Sequence, residues 1–162
     1  MKRPDFIRHW RELEGKDEPG YADSPERFSI GAPLARTLGL TRLGIHHERL
    51  PPGRRTSYPH AESQEEEFVY VLEGQPEVWI NGQLWPLEPG DSVAFPAGTG
   101  ICHTFINNSD ADVRLLVIGE ANKSENRIYY PLNEEYAATR EDRWVDHPEQ
   151  IFAPHGGKPS RK

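Results

Sequence analysis

The residues able to do chemistry lie close together. His60, Glu62 and Glu67 fall within PHAESQEEEFVYVLEG, and His103 follows in PAGTGICHTFIN. Imidazole nitrogens and carboxylate oxygens are the donors that zinc, manganese or iron(II) accept, and short strands can aim them at one point. His60 and Glu62 are two residues apart, so an extended backbone puts both side chains on one face. Parity does not carry across residues 63–66, which have the composition of a turn. Glu66 therefore competes with Glu67 for the same place.

Positioning these groups falls to short strands. Residues 40–50 alternate apolar and polar side chains, as a half-buried strand does. Residues 68–72 are aromatic and β-branched. Residues 78–80 and 83–87 flank Asn81-Gly82, a strong hairpin signal. Residues 92–95, 103–106 and 113–118 continue the rhythm, with turns at Pro89-Gly90 and NNSDAD. Strands at roughly ten-residue spacing with no helical period predict an all-β sandwich or small barrel. Residues 1–37 read as an N-terminal arm, with an apolar stripe of Phe6, Ile7, Trp10 and Leu13. Residues 38–120 hold the core. Residues 121–162 read as a C-terminal extension with a short helix near 134–143 and an extended or disordered end from Gly156.

Gly53, His60, Glu62, Glu67 and Gly74 resemble the first sequence motif of the cupin superfamily, with six residues between Glu67 and Gly74. Gly90, Pro96, Gly98, His103 and Asn107 resemble the second. The resemblance implies a single cupin β-barrel, a double-sheet jelly roll, with His60, Glu62, Glu67 and His103 as ligands of one divalent metal ion. Three departures stand out. His60 comes one residue later than the family spacing, the loop 99–102 before His103 is longer, and Glu62 replaces a second His. Oxygen donors shift preference from copper toward manganese, iron(II) or zinc.

Within that family the chain is similar to sugar-phosphate isomerase-like cupins. This implies enediolate chemistry, in which a metal holds the carbonyl and hydroxyl of an open-chain sugar. A base moves the proton, and Glu66, His46 or His47 can serve; His46 and His47 are adjacent, so a strand sends them to opposite faces. Arg54 and Arg55 are the expected grip on a phosphate, and Tyr58 the expected pocket wall. Two other readings stay open. One is a non-haem iron dioxygenase with His60, Glu62 and His103 as a facial triad; the other is a cupin that binds or senses a small ligand without turnover. The resemblance also implies a homodimer.

Composition bounds the partners. A formal charge of −7 argues against a general nucleic-acid binder. Fifteen Pro and fourteen Gly suit short strands joined by turns better than long helices. The one cysteine, Cys102, reads as a small buried residue and allows no internal disulfide. No signal-peptide apolar region and no long apolar run are visible, so a cytoplasmic protein acting on a small molecule, away from membranes, is the expectation.

Overall fold

Side-chain alternation along the strands decides the architecture. The computed structural model describes residues 3–21, 24–121 and 123–160. In chain order the strands are β1 (Ile30–Pro33), β2 (Leu43–Leu50), β3 (Arg54–Arg55), β4 (Ala61–Glu62), β5 (Glu67–Glu73), β6 (Glu77–Ile80), β7 (Gln83–Pro86), β8 (Ser92–Phe95), β9 (His103–Asn107), β10 (Val113–Glu120) and β11 (Ile128–Tyr129). Two short helices accompany them, α1 (Leu34–Thr37) and α2 (Glu134–Ala138). One sheet runs β1-β2-β10-β5-β8, a second β3-β9-β6-β7, and β11 pairs with β4. All named pairs are antiparallel.

The two larger sheets face one another as a sandwich. Val69 and Val71 of β5, Leu50, Val113 and Leu115 meet Val78 and Phe105 of the other sheet in one buried cluster with Phe95. Phe68, Tyr70 and Leu72 alternate with them and are exposed on the outer face. Among the described residues the pairing orders do not close on themselves, so the ladder is that of an open two-sheet sandwich rather than the closed barrel the sequence suggests. The Asn81-Gly82 hairpin forms as expected, with both residues at positive φ, 44° and 89°, as a tight primed turn requires.

The flanking segments are built into this frame. β1, which the sequence reading left inside an irregular arm, adds an edge strand to β2. Ahead of β1 the N-terminal arm forms a 3-10 turn (Trp10–Glu12), whose Trp10 ring stacks on His47 at 4.1 Å beneath the Arg114 guanidinium. The helix expected over 134–143 stops after Ala138. The C-terminal segment lies along the β6–β7 turn: Ala153 N–H donates to Asn81 O at 2.8 Å, and Trp79 Nε1–H to His155 O at 2.8 Å. Beyond Gly156 it is still held, by Arg55 donating to Gly157 O and Ser160 N–H to Asn108 Oδ1. Among the described residues no helix is long and apolar enough to cross a membrane.

Candidate active site

β9 and the bridge before β4 bring the two histidines together. His60 N–H donates to His103 O at 3.2 Å and His103 N–H to His60 O at 3.0 Å, and the rings lie 5.1 Å apart. With the longer loop 99–102 before it, His103 pairs with His60. Its ring is buried face to face against Phe95 at 3.5 Å. Its Nε2 lies 3.0 Å from Glu67 Oε1, the first residue of β5. With Glu67 ionised, Nε2 carries the proton and donates; Nδ1 is buried without a partner among the protein's groups.

The environments of these groups are sorted by charge. Burial acts to raise the Glu67 carboxyl, but the bond from His103 and the nearby imidazoles of His103, His60 and His46 outweigh it and hold it below its ordinary value. His60 is pushed down to about 4, first by burial and then by His103, so its ring is neutral. Its Nδ1 lies 2.8 Å from Tyr58 O, which leaves Nε2 as a free lone pair in the tautomer that donates to that carbonyl. Glu62 shares the small pocket of His60, Glu67 and His103. Its side chain bonds Asn126, and burial followed by Glu65 and Glu67 raises it to about 7. Two carboxyls of one pocket thus favour opposite protonation states.

A further carboxyl escaped the sequence reading. Glu48 pairs in register with core residue Leu115 and so faces inward, where its Oε2 accepts from Ser29 Oγ at 2.5 Å. Burial, then Glu67, raises it to about 7. The signal available in the sequence was parity: Glu48 shares its face of β2 with His46.

Not every expected site residue arrives. His46 faces inward, opposite Val117, where burial lowers it and Glu67 partly offsets this. His47 faces outward beneath Trp10 and is removed from the proton-transfer set. Glu66 is exposed on the rim of a groove on the outer sheet face, so Glu67, not Glu66, meets His103. Arg54 is bidentate on Asp17, and Arg55 is bidentate on Glu26, with its remaining reach given to Gly157 O. Neither guanidinium is free to grip an anion. The Tyr58 ring packs between Tyr21 and Arg55, while its carbonyl holds His60. Among the described residues no Arg or Lys lines the pocket of His60, Glu62, Glu67 and His103.

The donor types fit a small divalent ion, and the pocket's volume of about 10 Å³ suits one water-sized occupant. The carbonyl behind His60 is the outer support that a metal-bound imidazole needs. As the side chains stand, Glu67 and His103 bond one another, and among the described residues no three His, Cys, Asp or Glu groups are gathered to hold an ion.

Comparison with known proteins places this geometry in a class. The cupin domain model matches residues 46–119, which span β2 to β10 and include His60, Glu62, Glu67 and His103. Over this segment the chain carries a cupin domain. It resembles the crystal structure of a sugar phosphate isomerase of the cupin superfamily from Silicibacter pomeroyi, at 34% identity and a TM-score of 0.61, over 63% of this chain and 64% of that one. A curated relative, polyketide synthase CurC of Streptomyces cyaneus, is 37% identical over 83 residues, 51% of this chain. The matched segment spans about half the length of that relative, 49%. The polyketide cyclase RemF from Streptomyces resistomycificus shares the fold over 88% of this chain and 95% of its own, at 21% identity and a TM-score of 0.60.

Proposed function

We propose that this cupin is an enzyme that moves a proton at the carbon next to a carbonyl group, forming an enol or enolate of a small carbonyl compound. The observation that carries this reading is the paired carboxyls: Glu67 held ionised against His103, and Glu62 raised to about 7 in the same pocket. Groups with values pushed apart supply an acid and a base near neutral pH. Glu62 exchanges the proton, Glu67 stays ionised beside His103, and the Nε2 lone pair of His60 is left for a cation. A divalent ion held by His60, Glu67 and His103 would, when bound, polarise the substrate carbonyl.

Charge supports a substrate class. With carboxylates around the pocket and, among the described residues, no Arg or Lys lining it, a phosphate would be repelled, whereas an uncharged β-dicarbonyl would not. The similarity to a polyketide synthase supports that class. A second reading, a sugar phosphate isomerase, draws support from the 34% identical relative of that name. Exchange of substrate C–H for deuterium in heavy water, followed by NMR, tests both. Acetylacetone-type diketones should exchange faster with the protein than without it, and Glu67→Gln should remove the gain. No gain on any diketone, with exchange on an aldose phosphate, would hand the case to the isomerase.

A further inference from the structure

The pocket at His60 admits about one water, yet on the far side of Tyr58 lies a cavity of about 430 Å³. That volume is in the range of small-molecule sites. Tyr21, Tyr58 and Tyr136 wall it, with Leu132 and Thr139 at the rim. Behind them the stack continues: Tyr21 lies flat on Tyr58 at 4.1 Å with 2° between the rings, and Phe28 meets both edge-on. Tyr136 stands edge-on to Tyr21, Tyr58 and Tyr130. Such a cluster is pre-ordered, because each ring is fixed by its neighbours before any ligand arrives.

The wall chemistry selects among ligands. An organic cation is the usual guest of an aromatic cage, but here guanidiniums already occupy ring faces, Arg55 over Tyr58 at 5.0 Å and Arg140 over Tyr136 at 5.7 Å. A second cation would meet like charge. An anion would meet Glu135 and, among the described residues, no cationic lining residue. Tyr21 stays a neutral phenol, since burial pushes it up to about 12, and its oxygen accepts from Tyr58 N–H at 3.3 Å. A flat, uncharged ring is what remains.

We infer that this tyrosine-walled cavity is a second binding site, distinct from the pocket at His60, for a flat, uncharged aromatic or enolic ring. Tyr58 belongs to both, lining the cavity by its ring and holding His60 by its carbonyl, and Tyr130 lies 5.9 Å from His60. The cavity is thus placed to hold the body of a compound near the proton-transfer groups, but its occupancy does not depend on turnover.

The test is direct binding of 2-naphthol, followed by its fluorescence and by calorimetry. One saturable site per chain is expected, with binding weakened at least tenfold for 2-naphthyl phosphate and for a naphthyl trimethylammonium cation. Thr139→Trp and Leu132→Trp enter the cavity from separate rims and should each weaken 2-naphthol at least tenfold. Glu67→Gln should leave it within twofold. Unsaturable binding, equal binding by a folded rim variant, equal binding of either charged analogue, or loss of binding in Glu67→Gln would overturn the assignment. Because no turnover is read, failure of the enolisation reading leaves this result standing, and the reverse.

Discussion

Glu48→Gln should change the sign of its effect on stability with pH. The carboxyl rises from 4.5 to about 7 on folding because burial strips its water and Glu67 lies nearby. A raised acid binds its proton more tightly in the folded state. The folded chain is therefore free of penalty below about pH 4.5, loses stability as pH rises, and carries the full cost above about pH 7. That cost is roughly 3 kcal/mol. Glutamine keeps an acceptor for Ser29 Oγ–H but adds an amide N–H₂ to an inward position, at about 1–2 kcal/mol. The variant should thus be less stable than the parent by about 1–2 kcal/mol near pH 4.5 and more stable by a similar amount near pH 8. For a chain of this size each kcal/mol is about 2–4 °C in Tm. Urea titrations with chelator present, at several pH values across this window, measure it. Glu62 contributes the same slope to both proteins, so the difference isolates Glu48. A difference that does not vary with pH, or a variant less stable at pH 8, refutes the argument.

Three further outcomes follow from other contacts. Glu67→Gln should cost about 1.5–3 kcal/mol by removing a bond to a charged acceptor and slow deuterium exchange about 100-fold or more; a parent-like exchange rate sinks the role. Because Glu67 is held below 4.5, its contribution is complete above about pH 4.5 and fades as pH falls through the lower folded value, so the variant should lose that acid limb. Gly82→Ala places a Cβ 1.9 Å from Ala153 O at a φ of +89°; it should detach the segment 150–160 and expose it to protease, in addition to about 1–2 kcal/mol of backbone strain, and an unchanged cleavage pattern contradicts this. We propose that a second copy of the chain covers the exposed Phe68, Tyr70 and Leu72, so light scattering should give a dimer that Phe68→Glu reduces to a monomer; a monomeric parent rules it out.

What could be read in the sequence was what short-range pattern encodes. Asn81-Gly82 announces its own turn, because few other pairs accept positive φ at both positions. Period-two alternation located β2, aromatic and β-branched composition located β5, and the motif spacing left six residues between Glu67 and Gly74. β1 stayed hidden because IGAP has too few side chains to show a period, and it becomes a strand by pairing with β2. The C-terminal segment carries polar and proline-rich sequence, and only the open backbone groups of the β6–β7 turn give it a place to bind.

The charged residues show why the site was harder to read than the fold. Arg54 and Arg55 advertise a cation, but whether that cation is free depends on Asp17 and Glu26, far earlier in the chain. The single changed fact, an acid within bonding distance, turns an anion grip into a brace for the N-terminal arm. Glu48 is the converse. Its charge suggests a solvated strand face, and only the pairing with Leu115 shows that it is turned inward. Glu62 and Glu67 are the same residue type five positions apart, yet one gains His103 and the other is left to Asn126, Glu65 and burial. Residue type sets which chemistry is available, and the distant partner sets the protonation state. An acid and a base of one kind can therefore share a pocket only because the β9 and β5 strands deliver an imidazole to one of them.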